Sequence, residues 1–502
     1  MNQNRLFIGC IVSLVTTSFG FIIRAFLLTE WGAEFNLSES QLGSIQGAGL
    51  YPFALSIILF SLIIDKLGYG RTMALAWICH LASAVITITA TSYTALYVGT
   101  FIFALANGAI EAAINPVTAT LFSDKKTHYL NILHAGWPGG LVLGGVLAIS
   151  LSGLDVSWAW RLKIGLFIIP TLIYGFLLLG QKFPVQERVT AGVSYKEMLS
   201  EFGWIGCLVC CFFIAYAIDE VMLVFQSRLS SGWIAGITII PTLVFFAKIK
   251  SPGRPVFVFL LLVMILGATT EVGTDSWIAA LMTPILSELS QNAGNWVLVY
   301  TSFIMFALRF FAGPIVQWIS PLGLLSVCAA IAFIGLYCLS VSTTALFIFV
   351  AASFYGVGKS FFWPTMLGVV SEQFPKGGAL TLNAIAGVGM LAVGVIGGPL
   401  LGTIQDKYLD AHLKEEYPSI HAEIAEGKQS KYGISYQPLN KSKISLLVEP
   451  DKKAVETIRK KNNQSTLAKV AILPLMMFLC YLGLIIYYKK IGGYKVRSLN
   501  AS

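Results

Sequence analysis

The chain has 502 residues, of which 56% are hydrophobic and only 12% are charged, and its mean hydropathy of +0.76 excludes a soluble globular protein. The net charge of +9 comes mostly from Lys and Arg in short loops between apolar segments, which indicates membrane orientation and argues against a nucleic-acid surface. The composition therefore predicts an all-α polytopic membrane protein that is surrounded by the lipid bilayer and binds no nucleic acid.

The first apolar segment, residues 6–29, has no small-residue cleavage site and is followed by many more apolar segments. We therefore predict a retained transmembrane helix and not a signal peptide. The loop after it contains Glu30, Glu34 and Glu39 but no Lys or Arg, whereas the turn DKLGYGR after the second span is basic. Because basic loops stay in the cytoplasm, the N-terminus is predicted to be cytoplasmic.

Apolar runs long enough to cross a bilayer recur along the whole chain. We predict about fourteen spans, at residues 6–29, 42–64, 73–92, 96–120, 131–151, 164–179, 203–226, 232–248, 255–281, 296–319, 322–341, 345–371, 379–403 and 466–488. An even number of spans places both termini on the same side of the membrane. We therefore expect a monomeric integral protein of a bacterial inner (plasma) membrane, with both termini in the cytoplasm.

Two polar segments interrupt the spans. The stretch after the sixth span contains SYKEML, which predicts a short amphipathic helix on the membrane surface. A longer insert, residues 405–465, is rich in Lys, Glu, Ser and Asn and lies between the last two spans on the outer side. We expect partial helix there, for example in PDKKAVETIRKK. Because the insert has no cluster of His, Cys or paired acids, we expect no enzyme activity, no metal and no cofactor.

The fourth span carries a carboxylate near its middle. Glu111 lies within FIFALANGAIEAAINPVTATL, residues 101–121, where lipid alone would make a charge costly. Asn107 and Asn115 are each four residues from it, so a helix would place all three polar groups on one face. This pattern predicts the wall of a solvated cavity. The alternative is a glutamate that only joins helices by hydrogen bonds.

Arg24 is the charged residue inside the first predicted span. Three roles are open for its side chain. The guanidinium could be the counter-ion of Glu111, it could bind an anionic substrate, or it could extend toward a lipid headgroup at the outer end of the span. The first two roles place the guanidinium inside the protein, and the third places it at the membrane surface.

Charged residues also recur in the predicted spans of the C-terminal half. Glu271 and Asp275 have i,i+4 spacing and share a helix face, as do Lys359 and Trp363. A pair between Lys359 and an acid across the cavity would neutralise two costly charges; the alternative is a static bridge inside the bundle. The aromatic and hydrogen-bonding residues that we expect to line the cavity, and that suit the CH faces and hydroxyls of a sugar, are Trp137, Trp277, Trp363, Asn131, His134 and Asn383.

The turn between the second and third spans carries a family motif. DKLGYGR, residues 65–71, resembles the loop signature of the major facilitator superfamily between its second and third helices, where an acid, a glycine turn and basic residues latch the cytoplasmic side. Ser61 stands where that signature usually has its first glycine. A plain topology signal is the alternative, but the resemblance implies gating roles for Asp65, Lys66, Gly68 and Arg71.

A second set of motifs narrows the resemblance. EAAINP at residues 111–116, followed by LNILH at 130–134 and a glycine-rich fifth helix, resembles the sugar porters related to the fucose/proton symporter. EVGTDSW at 271–277 resembles the seventh-helix pattern of that branch, and FFWPTMLG at 361–368 its tenth. The resemblance implies that Glu111 is an essential proton-coupling group. The first helix departs from the branch, because the fucose symporter has an acid there and this chain has Arg24.

The resemblance covers about four fifths of the chain and implies two six-helix bundles with a substrate site between them. A tight turn in residues 313–327 that is similar to the DKLGYGR turn agrees with a repeated half. If Glu271 belongs to the seventh helix of the family, two helices are additional. The predicted domains are then an N-terminal bundle (1–182), a cytoplasmic linker (183–202), two additional helices (203–250) and a C-terminal bundle (251–502).

The sequence thus predicts a secondary active transporter that moves a small polar solute, a sugar, together with protons by alternating access. One alternative is a drug/proton antiporter, a class in which fourteen helices are common and a large apolar pocket is expected. The charged and amide groups on the fourth, seventh and tenth helices favour a hydrophilic solute instead. The other alternative is a membrane receptor or sensor that uses the insert at residues 405–465.

Overall fold

A computed structural model describes residues 2–37, 39–151, 158–222, 227–286, 293–431 and 434–499. Within these ranges, 13 helices are long and apolar enough to cross a membrane. A bent pair, Ala293–Arg309 and Ala312–Trp318, makes a fourteenth span when it is counted as one. The structure therefore confirms the predicted all-α polytopic fold and the approximate number of spans.

The helices are numbered in chain order. The first part of the chain forms α1 (Gln3–Glu34), α2 (Glu39–Ala48), α3 (Tyr51–Leu67), α4 (Tyr69–Ile88), α5 (Tyr93–Leu121), α6 (Lys126–His134), α7 (Gly136–Ser150), α8 (Ala159–Leu166), α9 (Ile168–Leu178) and α10 (Glu187–Thr190). The middle part forms α11 (Tyr195–Met222), α12 (Ser231–Ile249), α13 (Pro255–Ala268), α14 (Thr274–Leu286), α15 (Ala293–Arg309), α16 (Ala312–Trp318), α17 (Pro321–Val341), α18 (Ala345–Lys359), α19 (Phe362–Gln373) and α20 (Gly378–Ala392). The last part forms α21 (Gly398–Glu416), α22 (Pro418–Ile424), α23 (Lys441–Leu446), α24 (Glu449–Val470), α25 (Ile472–Lys490) and an antiparallel hairpin of β1 (Gln429–Lys431) and β2 (Ile434–Tyr436).

Local sequence sets several helix boundaries. Ser92 caps α5 by accepting a hydrogen bond from the Ala95 backbone N–H, and Ser320 caps α17 with Pro321 in its first turn. Gly68 separates α3 from α4 with a φ of +87°, a conformation that side chains with a Cβ rarely adopt. The tight turn in DKLGYGR therefore depends on this glycine.

Two π-helical turns interrupt long spans near the centre of the molecule. Thr269–Gly273 joins α13 to α14, and Val393–Gly397 joins α20 to α21. The two turns contact each other. Such bulges are rare inside α-helices and frequent at functional sites, and the first of them carries Glu271.

Helices α1–α9 form the N-terminal half, and α13–α20 with α24 and α25 form the C-terminal half. The halves meet where α3 packs on α20, α6 on α19 and α7 on α15. Glycine permits the last of these contacts, because a Cβ on Gly145 would lie 2.8 Å from Val299 Cγ2. Two of the predicted domain boundaries fall between helices, and the third, at 202/203, falls at Gly203 inside α11. The division itself stays a prediction.

Helices α11 and α12 pack against each other, and α11 also contacts α20 and α3. Gly203 breaks α11 with a φ of +71°, so the SYKEML segment precedes the spanning part of that helix. Only 11% of the apolar window of α12 is buried inside the protein. Helix α12 therefore lies on the outside of the bundle, and α11 joins it to α3 and α20.

The insert is more ordered than the partial helix predicted from its polar composition. Its helices α21–α24 share a core that includes Leu413, Ile424 and Val455, and strand β2 of the hairpin packs on α21. Helix α24 contains PDKKAVETIRKK, as predicted, and runs into the last span, which makes one helical stretch of 42 residues. The insert is thus a small folded unit fixed to two spans.

Both termini lie at the same end of the molecule, which we call the termini end. Asn2 N donates to Gln181 Oε1 over 3.3 Å, and Arg497 N donates to the Glu372 carbonyl over 2.9 Å. Glu372 in turn accepts hydrogen bonds from Thr127 of the N-terminal half. We call the opposite end, where the insert lies, the insert end.

Candidate functional site

A small chamber lies between the two halves. Its lining residues are Phe53, Glu111, His134, Trp137, Glu271, Val272, Arg309, Trp363 and Met390. The volume of about 20 Å³ is enough for one water molecule. We call this void the central chamber. Glu111, which is 3% exposed, therefore borders a void that is shared by both halves.

Glu111 is held by neutral groups. Asn115 Nδ2 donates to Glu111 Oε2 over 2.7 Å, and Asn115 Oδ1 lies 2.9 Å from His134 Nε2. Among the described residues, no Lys or Arg forms an ion pair with this carboxylate. A buried charge without a partner is costly. The chamber therefore contains a carboxylate whose charge the protein does not balance directly.

Arg309 is the cation of the central chamber, and it connects the halves. It is 1% exposed, and its Nη2 donates to Glu271 Oε1 over 2.8 Å. Its other donors reach the Ser360 carbonyl over 2.7 Å and the His134 carbonyl over 2.5 Å. The backbone N–H of Trp363 donates to the second oxygen of Glu271 over 3.2 Å.

Sequence analysis missed Arg309. Its charge lies well inside the predicted span at residues 296–319, between Leu308 and Phe310, although helix α15 itself ends at this residue. A signal was nevertheless present, because the argument that singles out Glu111, an ionisable group in a long apolar run, applies equally to Arg309.

Lys359 and Asp275 form the predicted pair of opposite charges inside the C-terminal half. Lys359 is fully buried, and its Nζ lies 4.9 Å from the centre of the Tyr355 ring. Neither residue lines the central chamber or the larger cavity described below. The geometry is therefore that of the static bridge and not that of a cavity-lining pair, because the two side chains satisfy each other within the bundle.

Three amides predicted to line the cavity are used between helices instead. Asn107 Oδ1 lies 2.9 Å from His80 Nε2 on α4. Asn131 Nδ2 donates to Thr365 Oγ1 over 3.2 Å, and Asn383 Nδ2 donates to the Ala112 carbonyl over 2.9 Å. For Asn107 the reason is helix geometry, because each four-residue step turns a position by roughly 40° and two steps separate it from Asn115.

The predicted tryptophans divide between two voids. Trp137 and Trp363 line the central chamber. Trp363 Nε1 is buried and has no hydrogen-bond partner among the described residues, so it is a donor that a solute oxygen could use. Trp277 instead lines a second, larger cavity.

The second cavity lies beside the insert and has a volume of about 460 Å³, within the size range of small-molecule sites. We call it the outer cavity. Its N-terminal wall includes Arg24, Tyr51 and Phe103, and its other walls include residues of α11, α14 and the insert. The charged or aromatic residues on these other walls are Glu220, Trp277, Asp406 and Tyr436.

Arg24 is 4% exposed and lies at the wall of the outer cavity. Its guanidinium donates to the Gly20 carbonyl over 3.3 Å and to Ser83 Oγ over 2.9 Å, and it stacks over the Phe103 ring at 4.0 Å. It forms no ion pair with Glu111, so the counter-ion role is wrong for this arrangement. Its burial also excludes a side chain extended to a lipid headgroup.

The termini end is closed by polar contacts. Asp65 pairs with Arg188 of α10, and Lys126 pairs with Glu187 over 2.6 Å. Of the other residues predicted to act as a gate, Gly68 makes the turn, and Lys66 and Arg71 are exposed. Glu372, which the sequence did not single out, joins the halves by accepting from the Thr127 hydroxyl over 2.5 Å.

Comparison with known proteins gives one family. The Major Facilitator Superfamily profile matches residues 6–270, more than half of the chain. The chain is also similar to a gentisate transporter of Corynebacterium glutamicum, with 23% identity over 178 residues. That match covers 35% of this chain, and the chain spans only 38% of the length of this curated relative.

Solved structures show the same fold. The chain is similar to the proton:xylose symporter XylE, with 13% identity, a TM-score of 0.64 and coverage of 99% of this chain and 98% of that one. It is similar to the human organic anion transporter MFSD10 (TETRAN), with 13% identity, a TM-score of 0.62 and coverage of 96% and 100%. It is also similar to the E. coli fucose:proton symporter FucP in the outward conformation, with 14% identity, a TM-score of 0.56 and coverage of 94% and 98%.

Proposed function

The chain belongs to the major facilitator superfamily, and from this membership we propose that it is a secondary active transporter that moves a small polar solute by alternating access, with protons as the coupling ion. Its substrate is a small molecule, and its transport cycle needs no cofactor. The two voids and the contacts between the halves support this proposal.

Glu111 carries the proposal of proton coupling. The other acids near the chamber are paired, Glu271 with Arg309 and Asp275 with Lys359. Among the described residues, the hydrogen-bond donor to Glu111 is the amide of Asn115, and Arg309 across the chamber pairs with Glu271 instead. A proton on Glu111 removes a buried charge that has no ion-pair partner of its own, so proton binding at this carboxylate changes the relative stability of states that differ in access to the chamber.

A sugar is the first candidate for the solute. The outer cavity has the volume for a sugar, and Trp277 offers a flat apolar surface there. Trp137 and Trp363 offer further aromatic surfaces at the central chamber, which has room for one water molecule in this state. Among the similar proteins, two are named as proton symporters of sugars, one as an organic anion transporter and one as a gentisate transporter. These names support a polar solute. They include both neutral sugars and anions, so the charge of the solute has to be inferred from the residues of the site.

The two alternatives are less well supported. A drug/proton antiporter needs a large apolar pocket, whereas the walls of the large outer cavity carry Arg24, Glu220 and Asp406, and the central chamber holds two acids and an arginine. A receptor would use the insert as a separate sensing unit, whereas Asp406 and Tyr436 of the insert are part of the wall of the outer cavity.

The orientation remains part of the proposal. The basic turn DKLGYGR and the basic segment YYKKIGGYKVR both lie at the termini end, which supports a cytoplasmic position for that end in a bacterial inner membrane. With this orientation, the termini end is closed on the cytoplasmic side and the outer cavity faces outward. The structure then corresponds to an outward-facing state.

Uptake into proteoliposomes tests the proposal. Labelled monosaccharides are offered with an imposed inward proton gradient to the parent and to Glu111→Gln. We expect the parent to accumulate solute and the variant to equilibrate it without accumulation. Glu456→Gln, which alters an exposed acid on α24, is the matched control and should behave as the parent. Accumulation by Glu111→Gln equal to that of the parent would refute the coupling role.

A further inference from the structure

Arg24 is a buried arginine that lacks an ion-pair partner among the described residues. Its guanidinium is almost fully buried, and no carboxylate of the described chain forms an ion pair with it. Its Nε–H has no hydrogen-bond partner within the described part of the chain. A buried cation without a counter-charge is costly, and an anion bound from the outer cavity would remove that cost.

The surroundings of Arg24 hold its guanidinium in a fixed plane. Phe103 covers one face at 4.0 Å, and the Phe167 ring lies 5.3 Å away. Ser83 accepts one N–H and itself donates to the Gly99 carbonyl over 2.7 Å. A guanidinium that is stacked and hydrogen-bonded in this way presents its remaining donors in the geometry that a carboxylate matches.

Other walls of the outer cavity carry the opposite charge. Glu220 of α11 and Asp406 of the insert both line it. Carboxylates accept hydrogen bonds from hydroxyl groups and repel a second negative charge. A ligand that fits both kinds of wall has one negative end and a hydroxylated remainder, and the volume of about 460 Å³ limits it to a small molecule.

We propose that Arg24 is a carboxylate-binding subsite of the outer cavity, and that the transported solute is a small polyhydroxylated monocarboxylate of the sugar-acid type. This inference rests on the proposed transport function and specifies its substrate class. The carboxylate of the solute pairs with Arg24, while hydroxyl groups donate to Glu220 and Asp406. A neutral sugar leaves the guanidinium unbalanced, and a dicarboxylate places a second charge near the acidic walls.

Binding to the purified full-length protein tests the charge preference directly. Two series keep the carbon skeleton constant while the charge changes: galactose, galacturonate and galactarate, and glucose, glucuronate and glucarate. Affinities are measured by isothermal titration calorimetry without any ion gradient. We expect the monocarboxylate of at least one series to bind about ten- to hundredfold tighter than its neutral parent, the range expected for a charge-assisted hydrogen bond, and tighter than the dicarboxylate.

Variants of Arg24 assign the preference to this residue. In Arg24→Gln, the ratio between the affinities for monocarboxylate and neutral sugar should fall to about one. Arg24→Lys keeps the charge but loses the planar fork, so an intermediate ratio is expected. Arg459→Gln on α24, outside both voids, is the matched control. Thermal unfolding of each variant verifies that it is folded.

Three results would overturn the inference: tighter binding of the neutral sugars, no binding by either monocarboxylate, or an unchanged preference in folded Arg24→Gln. Because binding is measured without a gradient, a failure of proton coupling at Glu111 cannot produce any of them. Conversely, a failure to find the carboxylate preference does not bear on proton coupling at Glu111. The two proposals therefore fail separately.

Discussion

Arg309 is the residue on which the contact between the halves depends most at the centre of the molecule. It pairs with Glu271 inside the C-terminal half and donates to the backbone of His134 in the N-terminal half. Sequence reasoning found Glu111 because two amides stand four residues from it in an apolar run, but it missed Arg309, which has no polar residue at that spacing. Hydropathy shows that a charged residue lies in an apolar span. It does not show which residue pairs with that charge, since the ion-pair partner comes from a helix that is distant in the sequence.

Removal of Arg309 should destabilise the protein more than removal of the whole pair. Arg309→Met leaves Glu271 as a buried unpaired acid, and the expected loss is about 3–5 kcal/mol in the free energy of unfolding. The double variant Arg309→Met/Glu271→Gln should recover part of that loss, because no charge is left unpaired. Thermal unfolding of the purified variants in detergent measures both. If the double variant is as unstable as the sum of the single ones, the two residues are not coupled.

At the scale of the element, the C-terminal segment and the insert are both more ordered than their polar composition predicts. Tyr494 OH donates to Glu372 Oε2 over 2.7 Å, and Gln373 Nε2 donates to the Lys495 carbonyl over 2.8 Å. The polar tail after α25 thus holds Glu372, the residue that contacts Thr127 of the other half. The π-helical turns and the core of the insert were also beyond sequence reasoning. The π-helical turns are deviations of backbone geometry that leave no periodic signal in the sequence. The core of the insert is built from apolar residues that are scattered in a polar segment.

The tail contact should bias the protein toward closure at the termini end. Tyr494→Phe removes the bond to Glu372 and should increase the population that is open at that end. Spin labels at Asp124 and Lys376, on a cysteine-free background, report this opening as a longer distance by double electron–electron resonance. Tyr487→Phe, which changes an exposed tyrosine of α25, is the matched control. Identical distance distributions for Tyr494→Phe and the parent would show that the tail does not hold the end closed.

The same contact has a defined pH dependence. Burial, and after it the Glu372 carboxylate, raise the pKa of Tyr494 above its ordinary value. A group that holds its proton more tightly in the folded state contributes stability that is fully present below its unfolded pKa, about 10 for tyrosine, and is lost as the pH rises above it. In a Glu111→Gln background, where the coupling proton is absent, the spin-label distances should therefore stay constant between about pH 6 and 9. A distance change within that range would contradict this assignment.

The core of the insert should be separable from the membrane helices. Leu413 is fully buried in that core, so Leu413→Ala should cost about 2–5 kcal/mol locally. Faster proteolysis within residues 405–465, with the membrane spans intact, is the expected result of limited digestion. Leu446→Ala, whose parent side chain is 83% exposed, should be cut at the parent rate. Equal cleavage of the two variants would mean that the insert has no core of its own.

At the scale of the whole molecule, the sequence was informative where one physical signal dominates. Apolar runs gave the spans, because the bilayer requires them. Composition did not show what the polar insert contacts. In the structure, Asp406 lines the outer cavity and Asn463 Nδ2 donates to the Leu281 carbonyl over 3.2 Å. A deletion would therefore remove part of a cavity wall.

The two halves also explain why the site could be predicted only in part. Glu111, His134, Trp137, Glu271 and Trp363 reach the central chamber. Asn107, Asn131 and Asn383 are used in hydrogen bonds between helices instead. A helix face can be read from spacing, but the element that covers this face depends on how the halves pack. Sequence alone does not specify that packing.

The measurement that tests the central claim most directly is proton flux during solute transport. Proteoliposomes loaded with a pH-sensitive dye are given the solute identified by the uptake screen, with no imposed proton gradient. The parent should acidify the lumen as solute enters, and Glu111→Gln should admit solute without acidification. Equal acidification by the parent and by Glu111→Gln, at equal solute entry, would contradict the assignment of the coupling proton to Glu111.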